Sequence, residues 1–208
     1  MSALAAFLSG RDLPLTMDEG KMSQETVGQA AKHVVTFLRE LHADVAAMVR
    51  SLDGLFDKRG WVPPPKYQNR IANLLSNGLA NSDRWVLSSL YRMYVPRTEV
   101  ESIRRVVLFQ VDFAPAAFDY AIVVVGMAKY DAPTTADAIW SGWESSVAIE
   151  AHLAGAGGSA TLLPRETWCE DVAPRAVEMS GFVQPLDRLT DDTVLASLVV
   201  VPTLRTFG

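Results

Sequence analysis

Three residues in the middle of the chain have the types and the order that metal-dependent hydrolysis requires. Asp112 and Asp119 come first, and Lys129 follows ten residues after the second aspartate. Carboxylates can hold a divalent metal, and a lysine can steady the nucleophile or a phosphate group. The residue two positions before Lys129 is Met127, whose thioether does not hold Mg²⁺. Asp112, Asp119 and Lys129 are therefore candidates for an incomplete hydrolase or nuclease site, and the sequence predicts no bound metal or cofactor.

The other reactive side chains do not form a pattern that nucleophilic catalysis or metal binding needs. Cys169 has acidic neighbours on its C-terminal side, which disfavour the thiolate. The three histidines, His33, His42 and His152, do not have the spacing of a zinc site. Residues 155–159 are rich in glycine but lack the strand, helix and lysine that surround a phosphate-binding loop. The sequence therefore favours a protein that is not an enzyme.

Positive charge is concentrated in residues 58–105, which carry nine Lys or Arg against three Asp or Glu, a net charge of +6. The flanking segments are acidic, with net charges of −3 over residues 1–57 and −8 over residues 106–208. A basic segment can bind a polyanion, or it can pair with the acidic half of the fold or of another subunit. The whole chain has a net charge of −5, which repels phosphate at long range and favours pairing. The candidate polyanion-binding residues are Lys58, Arg59, Lys66, Arg70, Arg84, Arg92, Arg97, Arg104 and Arg105.

A heptad pattern of apolar residues runs from Val27 to Leu55 and is the strongest signal in the sequence. Its steps of three and four residues place one apolar stripe on one side of a long helix. Such a stripe must be covered, either by the rest of the chain or by another chain. The other helices predicted here are shorter, which is a reason to expect contact between chains. The predicted interface residues are Val34, Leu38, Leu41, Val45, Met48 and Leu52.

The elements that position these residues in the first half of the chain are predicted from turn residues and periodicity. Gly60 is placed to end the long helix, and residues 61–65 form an extended, proline-rich connector. Helical spacing then predicts a second helix over residues 67–75. A third helix is expected from about residue 81 until Pro96 stops it.

The second half of the chain predicts strands. Residues 106–113 and 118–129 are dense in β-branched and aromatic residues with a short connection between them, so we expect a hairpin. Residues 122–125 are apolar without alternation, as in a strand in the middle of a sheet that is covered on both faces. The remaining expected elements are a helix over residues 137–153, a short edge strand over 182–186, a short helix that starts at Thr190, and a last strand over 198–204.

Together these elements predict an α+β fold in which a long N-terminal helix and two shorter helices pack on a small, mostly antiparallel sheet. The connector separates an arm and heptad helix, residues 1–60, from a mixed domain of residues 61–208, unless the two form one continuous domain. The leading hypothesis is a non-enzymatic assembly or adaptor protein. It would act as a homo-oligomer or as a subunit of a larger complex, through its long helix and charge-complementary surfaces. The alternatives are a nucleic-acid-associated protein and a metal-dependent nuclease or hydrolase.

The sequence also bears on membranes and location. No apolar run approaches the roughly 20 residues that span a bilayer. We therefore expect a protein without a membrane segment, located in the cytoplasm.

Overall fold

A computed structural model describes residues 24–70, 72–73, 87–115, 117–142, 161–163 and 176–207. The chain divides into two compact units, Met1–Ser51 and Leu52–Gly208. The described residues of the first unit are helical. The second unit contains a sheet and several shorter helices, so the fold is α+β, as the sequence predicts. None of the described helices is both long and apolar enough to cross a bilayer.

The first helix, α1, spans Gln24–Asp57. Its sequence contains no proline, and its apolar residues recur every three or four positions, which favours an amphipathic helix. The main-chain N–H of Gly60 donates to the carbonyl of Asp57 at 3.0 Å, and Gly60 has a φ of 77°. This left-handed conformation costs glycine little and stops the helix. The prediction that Gly60 ends the helix is confirmed.

In the described part of the chain, seven strands form one sheet in which every neighbouring pair is antiparallel. The order is β1-β3-β4-β5-β7-β6, and β2 pairs with β3 as well. β1 and β2 therefore share the edge of β3 that β4 does not occupy. The strands are β1 Trp61–Val62, β2 Ala72–Asn73, β3 Ser89–Pro96, β4 Ile103–Asp112, β5 Ile122–Thr134, β6 Thr161–Leu162 and β7 Ala176–Pro185.

The predicted hairpin is β4 and β5, which pair from Asp112 opposite Ile122 down to Arg105 opposite Lys129. Every residue from Ile122 to Ala128 is buried. β5 lies between β4 and β7, which explains why its apolar residues do not alternate with polar ones. The predicted position of this strand in the middle of the sheet is confirmed.

The two faces of the sheet bury different side chains. On one face, Tyr91 and Met93 of β3 belong to a core that also includes Tyr67 and Ile139. Ile139 comes from the short helix α2, Ala136–Gly142. Alternate residues of β3 point to the opposite face, which contains the buried side chain of Tyr94.

Four predicted elements differ from the structure, and two of them belong to the first half of the predicted mixed domain. Residues 67–75 are not a helix where they are described, because a 3₁₀ turn at Pro65–Tyr67 is followed by β2. The predicted third helix is wrong over Leu90 and Met93, which lie in β3. Short apolar runs fit both helical and strand periodicity when both faces are buried, which is the physical reason for these errors. Residues 74–86 lie outside the described residues.

The third difference is in the strand predicted at residues 182–186. The strand is longer than predicted, because these residues are the end of the ten-residue β7. Among the described residues, β6 pairs with β7 only at Ser180 and Gly181, so residues 182–185 pair with β5 alone. Pro185 is tolerated because it is the last residue of the strand. Of the helix predicted over residues 137–153, the described part is α2, and residues 143–153 lie outside the described residues.

The chain ends in helical structure and not in the predicted last strand. α3 spans Asp192–Leu195, a π-helical turn spans Ala196–Val200, and α4 spans Val201–Phe207. Asp191 caps α3, because its Oδ1 accepts from the main-chain N–H groups of Thr193 and Val194 at 2.8 and 3.0 Å. These bonds lower the pKa of Asp191. The helix start predicted at this point is therefore confirmed, but the helix continues through the β-branched residues that suggested a strand.

Candidate functional site

The three candidates for hydrolysis do not meet in the structure. Asp112 is paired with Ile122 at the loop end of the hairpin, whereas Lys129 is paired with Arg105. Seven positions of β5 separate these two pairs, which corresponds to roughly 23 Å along the strand. Asp119 is exposed in the connecting loop.

Each of the two strand residues also has a structural partner. Lys129 Nζ lies 2.9 Å from Glu178 Oε1 on β7, where the two residues are directly opposite each other. Asp112 Oδ1 accepts from the main-chain N–H of Ala114 at 2.9 Å. The geometry therefore offers no shared site to Asp112, Asp119 and Lys129.

Other ligating side chains give no alternative centre in the described part of the chain. No group of three or more His, Cys, Asp or Glu side chains there could hold a metal ion. His33 is exposed and His42 is half-buried. Cys169, His152 and residues 155–159 lie outside the described residues.

The candidate polyanion-binding residues are engaged within the fold to a large extent. Four of them form ion pairs: Lys66 with Asp137 at 2.6 Å, Arg92 with Asp53 at 2.7 Å, Arg97 with Asp57 at 2.5 Å, and Arg105 with Glu99 at 2.6 Å. One of these four carboxylates, Asp137, belongs to the acidic C-terminal half. Charge pairing inside the fold thus uses much of the basic segment.

The remaining basic residues are a small set. Arg59 and Arg104 donate to the main-chain oxygens of Leu55 and Asp131 at 3.0 and 2.7 Å. Lys58 and Arg70 are exposed, and Arg84 lies outside the described residues.

The most highly connected polar side chain that the structure describes is Arg92 on β3, which is 4% exposed. Its Nε and Nη2 donate to the two carboxylate oxygens of Asp53 at 3.0 and 2.7 Å. Nη1 donates to the carbonyls of Tyr67 and Arg70 at 2.9 and 2.8 Å, and Nη2 also donates to the carbonyl of Gln68 at 2.8 Å. All five N–H donors of the guanidinium are therefore used. None is left for a phosphate.

Asp53 is placed for this role by α1, and Phe56 packs beside it. Phe56 lies three residues after Asp53 on the same helical face, and its ring stacks on Tyr94 with 4.3 Å between centroids. The hydroxyl of Tyr94 donates to Asp53 Oδ1 at 3.0 Å. Burial and, to a smaller extent, the negative charge of Asp53 raise the pKa of Tyr94 well above its usual value. Tyr94 therefore stays neutral and remains a hydrogen-bond donor.

Arg92 holds a segment that we call the strap, residues 63–70, which connects β1 to β2 along the outer edge of β3. β1 ends opposite Val95, and β2 begins opposite Tyr91. The strap therefore spans only the three β3 residues between these positions. Because it is much longer than that distance requires, it leaves the edge and forms the 3₁₀ turn.

A second contact holds the strap from outside. Lys66 Nζ donates to Asp137 Oδ2 at 2.6 Å, and the hydroxyl of Tyr67 donates to Asp137 Oδ1. The Tyr67 ring stacks on Trp140, with centroids 4.4 Å apart. Burial, together with the bond to Asp137, raises the pKa of Tyr67 to about 12. The bonds from Lys66 and Tyr67 lower the pKa of Asp137.

Sequence reasoning missed the link between Asp53 and Arg92. One signal was present: Arg92 is the only charged residue in the run Leu90–Val95, which is otherwise apolar or aromatic. An arginine inside a buried strand requires a carboxylate and further acceptors. The sequence does not show which carboxylate this would be, because Asp53 lies 39 residues earlier.

The predicted interface residues of α1 differ in exposure along the helix. Val34 is 57% exposed, and Leu38 and Leu41 are half-buried. Val45, Met48 and Leu52 are buried. Two further apolar residues on the same stripe, Val27 and Val35, are 49% and 47% exposed.

The fold and these sites define an α+β protein whose described residues form a seven-stranded antiparallel sheet. No protein-family model, curated protein or solved structure matches the chain.

Proposed function

We propose that this chain is a non-enzymatic assembly protein that pairs with a second copy of itself through the N-terminal part of α1. The observation that carries the proposal is the exposure of Val27, Val34 and Val35 on a stripe whose later residues are buried. Large apolar side chains that share one helical face stabilise a complex when another surface removes them from water.

The heptad of this region is complementary to itself when two copies run antiparallel. In that register Val27 lies opposite the partner's Leu38, and Ala31 lies opposite the partner's Val34. In the heptad abcdefg, Val27 and Val34 occupy d positions, and Ala31 and Leu38 occupy a positions. Each layer thus pairs an a residue with a d residue, as antiparallel helix pairs require. The larger side chain of each layer faces a smaller one, which favours close packing.

The flanking positions support the same register. Val35 would lie beside the partner's Gly28, and Phe37 would lie beside the partner's Ala30. These four residues carry no charge, so nothing at the margin of the contact repels the second helix. The charged residues of this stretch, such as Lys32 and Glu40, lie further from the stripe.

The contact would be small. It extends over the twelve residues from Val27 to Leu38, or about 18 Å of helix. Interfaces of this size belong to the weak and transient class. We therefore expect a reversible dimer whose population rises with protein concentration, and not a permanent dimer.

The test is the particle mass as a function of concentration, measured by sedimentation equilibrium. A monomer has a mass of 22.7 kDa, and the wild-type protein should move towards twice this value as its concentration rises. Val34→Asp should stay monomeric, since a carboxylate would be buried in the contact. Because Val34 is exposed, this substitution leaves the fold of the chain intact.

Thr36→Asp is the matched control. Thr36 is also exposed but lies away from the stripe, and the variant adds the same charge to the same helix. It should associate like the wild type. A wild-type protein that stays monomeric at the highest concentration, or a Val34→Asp variant that still associates, would contradict the proposal.

A further inference from the structure

We propose that the strap is a latch that opens as one unit while the sheet stays folded, and that Asp53 and Arg92 hold it closed. This inference concerns a part of the molecule separate from the exposed stripe of α1. Opening would hydrate Arg92 and separate it from the carbonyls of Tyr67, Gln68 and Arg70.

The first argument is that the strap has few bonds of its own to the sheet. Its main-chain hydrogen bonds in the described part of the chain are local: the N–H of Tyr67 donates to Pro64 at 2.8 Å, and that of Arg70 donates to Tyr67 at 3.2 Å. The described main-chain link from the strap to β3 consists of the three carbonyls that accept from Arg92. If Asp53 no longer held the Arg92 side chain in place, all three hydrogen bonds to the strap carbonyls would be lost together.

The second argument is that Asp53 determines where the guanidinium points. Two parallel bonds to one carboxylate fix the plane of the arginine side chain. The remaining N–H groups of Arg92 are then directed at the strap carbonyls. Asn at position 53 has one acceptor oxygen in place of two, so it cannot hold the same orientation.

The third argument is the stiffness of the strap itself. It begins with Pro63-Pro64-Pro65, and consecutive prolines restrict the chain to few conformations. A stiff segment gains little entropy by fraying residue by residue, so it opens as a whole. The outer ion pair adds little resistance to opening, because Lys66 and Asp137 are 60% and 57% exposed and exposed ion pairs contribute little. Tyr67, which stacks on Trp140 and belongs to the core, must leave that core together with the strap.

Native-state hydrogen exchange tests the proposal on the wild-type protein. The N–H groups of Tyr67 and Arg70 report on the strap, and those of Val107 and Val125 report on the central strands. The strap amides should exchange faster than the sheet amides and at a rate that depends weakly on denaturant, as expected for local opening. Equal rates, with equal denaturant dependence, would overturn the proposal.

The variant Asp53→Asn should make the strap amides exchange about tenfold to hundredfold faster and still with a weak denaturant dependence, while the sheet amides continue to exchange only by global unfolding. Arg92→Lys keeps the charge opposite Asp53 but lacks the fork, so it should accelerate the same amides. Asp57→Asn, one helical turn after Asp53, is the control and should leave strap exchange as in the wild type. If Asp53→Asn leaves the strap amides unchanged, or if the strap amides of the variant show the same denaturant dependence as the sheet amides, Asp53 is not the latch. If Asp53→Asn does not fold, hydrogen exchange of the wild-type protein still decides whether the strap opens while the sheet stays folded.

Discussion

Two aspartates one turn apart on α1 each pair with an arginine, and the two ion pairs have different consequences. Asp53 meets Arg92, whose side chain is 4% exposed, while Asp57 meets Arg97, whose side chain is 61% exposed. The first arginine uses five donors on one carboxylate and three carbonyls. The second makes one side-chain contact with its carboxylate at 2.5 Å. The same residue types thus form a structural centre in one place and a solvated surface pair in the other.

From this comparison we expect that burial decides how much each ion pair contributes to stability. In water, the attraction between two charges is small and is offset by the entropy lost in holding two long side chains. Inside the fold the attraction is stronger, but the charges have lost their hydration and must be satisfied completely. Arg92 meets that condition. Loss of the Arg92 partners should therefore lower the free energy of unfolding far more than loss of the pair between Asp57 and Arg97.

The largest expected effect is that of Asp53→Ala. It leaves the Arg92 guanidinium charged, buried and without its carboxylate, which should lower the free energy of unfolding by about 3 kcal/mol. Urea unfolding followed by circular dichroism measures this value. A loss below about 1 kcal/mol would mean that the buried pair is no different from an exposed one.

A double variant sharpens this prediction. Replacing both Asp53 and Arg92 by apolar residues removes the uncompensated charge, which often restores stability. Here Asp53→Leu with Arg92→Met should recover only part of the loss, because the strap carbonyls of Tyr67, Gln68 and Arg70 lose their donor. Full recovery would show that the strap does not depend on Arg92.

The next effect concerns Tyr94, which shares the Asp53 carboxylate. Tyr94→Phe removes one hydrogen bond to a charged acceptor and should cost about 1–2 kcal/mol at neutral pH. Because Tyr94 is fully buried, its ring should remain stacked on Phe56 in the variant. Unfolding in urea measures the difference, and an unchanged stability would indicate that the hydroxyl does not need Asp53.

The stability of the protein at alkaline pH gives a second test of Tyr94. The pKa of Tyr94 is raised in the folded state, so its stabilising effect is complete below the unfolded value near 10 and decreases as the pH rises above it. Tyr67 and Tyr130 also have raised pKa values, so stability should fall from about pH 10 upwards. In Tyr94→Phe the fall should be less steep. A stability that stays constant up to pH 12 would contradict the directions of these shifts.

The smallest effect is that of Asp57→Ala. The pair with Arg97 is exposed on both sides, so its removal should change the free energy of unfolding by less than about 0.5 kcal/mol. The change should also shrink as salt is added, because solvent ions screen exposed charges. A loss comparable to that of Asp53→Ala would remove the distinction between the two pairs.

The parts of the fold that were predicted correctly depend on residues close in sequence. The end of α1 at Gly60, the hairpin of β4 and β5, and the helix start at Asp191 each follow from a turn residue or a cap within a few positions. The central position of β5 also followed from its unbroken apolar run. In each case the deciding interaction is local, or it is a pattern within one strand.

The errors lie where a short apolar pattern fits both a helix and a strand. Leu90 and Met93 fit a helical face, but pairing with β4, whose residues lie further along the chain, places them in a strand. Residues 198–204 fit a strand, yet the cap at Asp191 starts a helix that continues through them. In that helix Leu195, Val199 and Thr203 are buried at steps of four. Local preference was weak in both places, and tertiary contacts outweighed it.

The candidate sites divide in the same way. The stripe of α1 was visible in the sequence, because apolar residues spaced by three and four positions predict one apolar face on a helix. The hydrolysis candidates Asp112, Asp119 and Lys129 could be named but not placed, because their separation depends on the register of the hairpin. Arg92 was grouped with the surface cations, since no local feature states whether an arginine will be buried.

The sequence by itself determined where the long helix runs, which of its faces is apolar, where it stops, and which two strands form the hairpin. These features rest on hydrogen bonds and side-chain periodicity over a few residues. Only the tertiary structure decided which charges pair, that Asp53 meets Arg92, and that Arg92 bonds to the strap carbonyls. Such contacts join residues far apart along the chain, and their energy depends on burial, which no single segment carries.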